Sequence, residues 1–265
     1  MRVEYEQIEK GLVGSVEEGM LLVDKPAGVS SFGVVAMGRG AIWAELEGRE
    51  KNESDGRGGV DGKSGIKGVR SGRRKVKVGH TGTLDPFATG LLILMIGKGT
   101  KRCQEFLKLD KWYEAELKLG MSSTTGDPEG EIEPGSVEEV RRAQEVTEEE
   151  VREAMRKMTG EIWQTVPKFS AVKIEGRRAY DLARKGEEVE MPKRKVTVYE
   201  WELMGVKEGM VKFRCHVSSG TYVRTLGEDL ARELGTVGYL TGLRRLTIGD
   251  YRVEDAVIIR GQCGG

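Results

Sequence analysis

The sequence has little cysteine and little histidine. It contains three cysteines, an odd number without any C-x-x-C pair, and two histidines: Cys103, Cys215, Cys263, His80 and His216. This composition excludes a disulfide framework as the basis of the fold and is typical of reduced thiols. A zinc site of histidine and cysteine would lack ligands around any one of these positions, so we predict no metal site.

Long hydrophobic runs are also missing. No apolar stretch approaches the roughly 20 residues that cross a bilayer, and residues 1–6 lack the basic and apolar regions of a signal peptide. The 265 residues are enough to bury a core without help from disulfides. We expect a soluble cytoplasmic protein that does not associate with membranes.

Neither sign of charge dominates, since 43 basic residues balance 43 acidic ones. The distribution is uneven: residues 63–77 carry seven cations and no acid, whereas residues 127–153 carry eleven acids and three arginines. One face of the molecule can therefore hold phosphate groups while another repels them. Solvated charged surfaces without a partner explain the same pattern equally well.

The most distinctive stretch is residues 79–92, with the sequence GHTGTLDPFATGLL. It presents a single carboxylate, Asp85. The glycines before Asp85 allow tight bends, and Pro86 biases Asp85 toward an extended conformation, so the carboxylate is held in place. Taken alone, an ordinary Asp-Pro turn accounts for the pattern.

Local patterns predict an α+β, or mixed α/β, sheet domain. Alternating apolar positions in residues 113–119 and 210–217 predict half-buried strands. Thr147 and Glu150 form a capping box that opens a helix, and leucines four residues apart predict another over residues 226–234. Further strands are predicted at 20–23, 91–96 and 196–206, with a helix capped by Ser30 or Ser31 between the first two. Closely joined strands favour antiparallel pairing.

The stretch of residues 79–92 resembles the catalytic loop of the bacterial tRNA pseudouridine synthase B family, which modifies uridine 55 in the T-loop of tRNA. Other motifs similar to those of this family follow in order, and the resemblance covers about residues 19–250. These motifs are residues 21–31 (LLVDKPAGVSS), 111–113 (KWY), 176–184 (GRRAYDLAR), 219–225 (SGTYVRT) and 243–246 (LRRL). The resemblance implies the pseudouridine synthase fold, with a central, largely antiparallel sheet flanked by helices.

The resemblance also implies roles for single residues. Asp85 matches the essential aspartate of the family, Arg224 its partner, and Tyr113 the active-site tyrosine that stacks on the target base. His80 fills the space that the extruded base leaves. The remaining substrate-binding set is Tyr222, Leu243, Lys25 and Tyr180, with Lys25 expected mainly to support the catalytic loop. Core packing explains Tyr222 and Leu243 nearly as well.

Isomerising uridine to pseudouridine requires no cofactor, metal or external energy. Asp85 can act as a nucleophile or can stabilise an elimination intermediate, and both routes stay open. Arg224 suits the partner role because a guanidinium stays charged and keeps Asp85 ionised. The expected partner is the T-arm of tRNA, bound by a monomer that needs no obligate protein partner.

Two features depart from the family pattern. Residues 48–72 include eight glycines among 25 residues and show no apolar period, which predicts a flexible insertion. The insertion can be an arm that contacts RNA or a loop extension that the fold merely tolerates, and we favour the tolerated extension. About twenty residues follow residue 246, so we expect a catalytic domain over residues 1–250, a short tail at 251–265 and no small C-terminal RNA-binding domain. Residues 164–193 match the insertion that covers the RNA loop.

Two other functions are compatible with these motifs. An RNA-binding or tRNA-folding module with incidental catalysis would not need Asp85, because a negative charge near phosphate weakens binding. A guide-RNA-dependent rRNA pseudouridine synthase is disfavoured, because those relatives carry an additional C-terminal RNA-binding domain. The joint presence of Asp85, Tyr113 and Arg224 favours an enzyme.

Overall fold

The computed structural model describes residues 12–14, 18–40, 42, 76–170, 172–174, 177–178 and 190–258. The predicted insertion at 48–72, Tyr180 and the end of the predicted tail lie outside the described residues. The chain divides into two compact units. One unit comprises Met1–Pro86, Gly90–Leu107 and Val253–Gly265, and the other comprises Phe87–Thr89 and Lys108–Arg252.

The described residues form strands and helices in a mixed α/β arrangement, as predicted. The strands are β1 (Leu12–Gly14), β2 (Glu18–Lys25), β3 (Val78–His80), β4 (Thr89–Gly97), β5 (Lys111–Leu119), β6 (Met121–Ser123), β7 (Ile132–Pro134), β8 (Gly160–Thr165), β9 (Lys173–Ile174), β10 (Arg177–Arg178), β11 (Lys193–Lys207), β12 (Met210–Val217), β13 (Gly238–Ile248), β14 (Tyr251–Arg252) and β15 (Val257–Ile258). The helices are α1 (31–40), α2 (Cys103–Leu107), α3 (Val137–Glu145), α4 (Glu148–Lys157) and α5 (Val223–Glu233). None of these helices has the length and apolar character needed to cross a membrane.

The first unit is built around β4. Antiparallel pairing joins β1 to β2 and joins both β2 and β3 to β4, while β15 adds to β2 in parallel. Every residue of β4 from Leu91 to Ile96 is buried. A strand that is covered on both faces does not need to alternate apolar with polar residues, which explains the continuous apolar run in its sequence.

Helix α1 packs against these strands, and its buried Val34 and Val35 join the core of the first unit. Ser30 caps the helix, because its Oγ accepts the N–H of Gly33 at 3.0 Å. Glycine at position 38 allows the close approach: a Cβ there would lie 2.5 Å from the side chain of Leu94. The glycine that weakens the helix in sequence terms therefore serves its packing.

The second unit contains an antiparallel sheet in the order β13-β5-β12-β11-β8. As predicted, Tyr113, Ala115, Leu117 and Leu119 of β5 are buried on one face, here called the inner face. The matching residues of β12, from Val211 to Val217, are also buried on this face. The predicted antiparallel β11-β12 pair is confirmed, with a two-residue turn at Glu208 and Gly209 that has positive φ at both positions.

Helix α5 covers the inner face. A Cβ at Gly227 would lie 2.8 Å from the Leu240 side chain, and one at Gly238 would lie 2.8 Å from Ala231. These small residues therefore let the helix lie close to the sheet. The predicted capping box of α4 is present, with Thr147 and Glu150 bonded reciprocally, and α5 occupies the predicted leucine-rich segment.

Candidate active site

Asp85 lies in a loop that is tied down on its N-terminal side by Ser31. The Ser31 hydroxyl donates to the carbonyl of Leu84 at 2.9 Å and accepts the N–H of the same residue at 2.8 Å. Ser31 is 2% exposed and Leu84 is 3% exposed, so water does not compete for these groups. One buried side chain therefore fixes the peptide groups on both sides of Leu84, directly before Asp85.

On the other side of Asp85 the loop is tied down by Lys25. Its Nζ donates to the carbonyls of Pro26, Val29 and Pro86 at 2.9, 2.7 and 3.0 Å. The Pro86 carbonyl also accepts the N–H of Gly28 at 2.8 Å. Lys25 is 0% exposed, and these bonds support the loop from behind. The place of Lys25 in the substrate-binding set stays a prediction.

His80 ends strand β3, opposite Leu94 of β4, and is half-buried. The next residue, Thr81, donates its N–H to Ile93 at 3.1 Å and is completely buried. Gly82 follows with φ of 131°, a conformation that side chains disfavour. His80 and Asp85 are thus carried by one loop with fixed ends, and the role of His80 toward the base stays a prediction.

Arg224 lies in the first turn of α5 and is 5% exposed. Its guanidinium donates to Asp127 Oδ2 at 3.0 Å, to the Thr125 carbonyl at 2.7 Å and to the Phe169 carbonyl at 3.0 Å. The ion pair with Asp127 is buried, with side chains 5% and 3% exposed. Arg224 belongs to the second unit and Asp85 to the first, and their pairing stays a prediction.

Asp127, one of the groups bonded to Arg224, is a residue to which sequence reasoning gave no role. Asp127 is 2% exposed and its Oδ1 accepts the Thr125 hydroxyl at 2.6 Å and the Glu129 N–H at 3.0 Å. The available signal was the Asp127-Pro128 pair, because it repeats the aspartate-proline pattern of the Asp85 loop. The same neighbourhood contains Glu228, whose pKa is raised chiefly by burial.

Tyr113 and Leu243 lie on adjacent strands of the inner face. Tyr113 of β5 pairs with Arg245 of β13, and Leu243 pairs with Ala115, two residues further along β5. Tyr113 is 7% exposed and Leu243 is 8% exposed. The structure therefore brings these two predicted site residues together, on the face covered by the helix that carries Arg224.

Lys111 is a second charged residue that sequence reasoning left without a role. It is buried, and its Nζ donates to the carbonyl of Leu109. Burial, together with the positive charge of Arg245, lowers the pKa of Lys111 to about 8, while Asp110 acts in the opposite direction. This amine is two residues from Tyr113 on the same strand.

Tyr222 directly precedes α5 and is half-buried. The guanidinium of Arg194 lies 5.5 Å from the centre of its ring, within the range of a cation–π contact. Arg194 also donates to the carbonyl of Gly220 at 2.9 Å. The second unit thus holds Tyr113, Arg224, Tyr222 and Leu243, and the first holds Asp85, His80 and Lys25.

Metal ligands do not gather in this part of the chain. Among the residues that the structure describes, no group of three or more histidine, cysteine, aspartate or glutamate side chains could hold a metal ion.

Comparison with known proteins identifies the family. Residues 70–223 match the TruB family pseudouridylate synthase, N-terminal domain. The chain is 40% identical over 245 residues to tRNA pseudouridine synthase B of Aromatoleum aromaticum, an alignment that covers 92% of this chain and 67% of that protein. The chain belongs to the TruB family of pseudouridylate synthases. It is also 40% identical over 242 residues to tRNA pseudouridine synthase B of Aquifex aeolicus, covering 91% of this chain and 71% of the relative.

Solved structures agree with the family's fold. The chain resembles one in the crystal structure of a Cbf5-Nop10-Gar1 complex, with a TM-score of 0.58 and 24% identity over 95% of this chain and 54% of that one. It also resembles one in an H/ACA RNP bound to a substrate RNA containing 2'-deoxyuridine, with a TM-score of 0.53, 21% identity and coverage of 96% and 52%. This TruB family chain thus spans about half the length of those chains, and the likeness concerns the fold.

Proposed function

We propose that this TruB family member converts uridine to pseudouridine at position 55 in the T-loop of tRNA, with Asp85 as its reactive carboxylate. The observation that carries the proposal is the support of the Asp85 loop on both sides, by Ser31 and by Lys25. A group held in this way loses little freedom when the substrate binds, which favours catalysis. The tRNA pseudouridine synthase B relatives support tRNA as the substrate.

The reaction breaks the bond between N1 of uracil and C1′ of ribose and forms one between C5 and C1′. A proton leaves C5 and N1 gains a proton, so no oxidant or reductant is consumed. The ionised Asp85 attacks as a nucleophile or stabilises the charge that develops on the ribose. Arg224 supplies a permanent positive charge, and the buried phenol of Tyr113 is the group we propose for the proton transfer.

The target base must leave the folded RNA loop before it reaches a buried site. We propose that His80 takes its place in the loop and that Tyr113, Tyr222 and Leu243 contact the base. Because a single chain carries every group this scheme needs, we propose a monomer that acts without an obligate protein partner. We place the protein in the cytoplasm, where its tRNA substrate is found.

The deciding experiment compares Asp85→Asn with Asp250→Asn, an aspartate exposed in the turn between β13 and β14. Purified variants are incubated with a T-arm hairpin that carries tritium at C5 of uridine 55, and tritium release is measured. Asp85→Asn should abolish release while its RNA affinity changes less than about tenfold, roughly 1.4 kcal/mol. Asp250→Asn should match the original protein.

Turnover by Asp85→Asn well above background would exclude Asp85 as the reactive group. If the original protein binds the hairpin but does not turn it over, an RNA-folding module is favoured instead. Release that requires an added guide RNA or protein partner would contradict the proposed single-chain enzyme.

A further inference from the structure

The segment that leads into α5 lacks a side-chain cap of its own. Tyr222 occupies the cap position with φ of −93° and ψ of 105°, and its side chain makes no capping hydrogen bond. The Tyr222 carbonyl accepts the first helical bond, from the N–H of Leu226 at 3.0 Å. The start of this helix, and with it Arg224 two residues later, must therefore be held by groups from elsewhere.

The main support comes from Gln164 of β8. Its Oε1 accepts the Tyr222 N–H at 2.8 Å, and its Nε2 donates to the Tyr222 carbonyl at 3.0 Å. Gln164 is 0% exposed. A carboxamide offers a donor and an acceptor side by side and stays uncharged at any pH, so the chemistry of the residue matches its two partners.

The neighbours of Gln164 extend this support along the same segment. Arg194, opposite Gln164 on β11, donates to the Gly220 carbonyl at 2.9 Å. The Phe169 carbonyl, five residues beyond Gln164, accepts from the Arg224 guanidinium at 3.0 Å. The β8–β11 pair thus holds the chain before Arg224, and the segment that follows β8 bonds the guanidinium itself. Gln164 is the member that bonds both backbone groups of one residue.

We propose that Gln164 is a positioning residue for the reaction, which acts through the backbone of Tyr222 to set the position of Tyr222 and Arg224. The inference rests on the proposed function and adds to it a residue that does not touch the substrate. Without the amide, the first turn of α5 can shift, and small displacements of catalytic groups reduce rates strongly. Because phosphate contacts generally dominate affinity for nucleic acids, we expect RNA affinity to change little.

The test replaces Gln164 by methionine, which has a similar length but no donor and only a weakly accepting sulfur. Gln144, an exposed glutamine on α3, gives the matched control variant Gln144→Met. We expect Gln164→Met to lower the single-turnover rate by about 10- to 100-fold while the Kd for the T-arm hairpin changes less than about threefold. Gln144→Met should leave both quantities unchanged.

Hydrogen exchange at the Tyr222 amide gives a readout that does not require activity. Gln164→Met should speed exchange at this amide at least about tenfold, because its acceptor is gone, whereas Gln144→Met should not. Thermal denaturation shows that the compared samples are folded. A purely structural role would lower stability but leave the rate of the folded fraction unchanged.

The outcomes separate the two proposals. If the original protein forms no pseudouridine, the proposed function fails. Independently of activity, hydrogen exchange at the Tyr222 amide that stays slow in Gln164→Met would overturn the positioning role. If the original protein is active and Gln164→Met has the same single-turnover rate, the positioning role is wrong while the proposed function stands. If Gln164→Met loses only RNA affinity and keeps its single-turnover rate, the positioning role is also overturned.

Discussion

Replacing Ser31 by alanine tests whether the Asp85 loop is held as the structure indicates. The change removes one hydroxyl that bonds both the N–H and the carbonyl of Leu84, at 2.8 and 2.9 Å. Each buried backbone group left unsatisfied costs about 1–3 kcal/mol, so we expect the free energy of unfolding to fall by about 2–6 kcal/mol. Ser31→Ala should also lower the single-turnover rate about tenfold or more, because Asp85 is no longer fixed.

The adjacent Ser30 provides a matched control, since Ser30→Ala makes the same chemical change one residue earlier. Ser30 caps α1 from an exposed position, so its loss should cost about 1 kcal/mol and leave the rate unchanged. Urea denaturation gives the free energies, and tritium release from the hairpin gives the rates. If the two variants differ by less than about 0.5 kcal/mol and turn over equally, the Ser31 contact does not hold the loop.

Three further predictions follow from the described contacts and the sequence. Arg224→Lys should lower the single-turnover rate more than RNA affinity, because a point charge cannot reproduce the three separate bonds of the guanidinium. Lys111→Met should lose stability relative to the original protein as the pH rises. The pKa of Lys111 is about 8 in the folded protein and 10.5 in its ordinary state, so between these values the unfolded chain binds more protons than the folded one. The original protein therefore becomes more stable as the pH rises through this window, and the variant does not. Replacing residues 49–71 by a short linker should preserve the fold and most of the catalytic rate.

Each of these predictions has a contrary result. Equal single-turnover rates for Arg224→Lys and the original protein would show that the geometry of the Arg224 guanidinium does not matter for the reaction. Urea denaturation at pH 7.5 and pH 10 gives the difference in the free energy of unfolding between Lys111→Met and the original protein. A difference that stays constant within about 0.5 kcal/mol would contradict the lowered pKa. Much weaker tRNA binding with a shallower salt dependence after the linker replacement would identify residues 49–71 as an RNA-contacting arm.

Much of the secondary structure was predictable because its causes are local. The alternation of β5 and β12, the capping box of α4 and the leucine spacing of α5 each depend on residues a few positions apart. The continuous apolar run at residues 91–96 predicted strand β4. The Asp85 loop was recognisable for the same reason, since its glycines, aspartate and proline are contiguous.

Apart from Lys25, the supports of the site were not predictable, because their partners are far apart in the sequence. Either Ser30 or Ser31 could have capped α1, and only the folded chain shows that Ser31 instead bonds Leu84, 53 residues away. The bond from Arg224 to Asp127 spans 97 residues, and no local pattern indicated it.

The amino-acid sequence by itself determined the family, the elements and the candidate reactive carboxylate, because short motifs and local periodicity carry that information. The tertiary structure decided which polar groups hold that chemistry in place. Gln164 gained its role only when β8 was placed against the start of α5, 58 residues later. Lys111 acquired its lowered pKa only when folding buried it beside Arg245, because desolvation and charge proximity are properties of the packed chain.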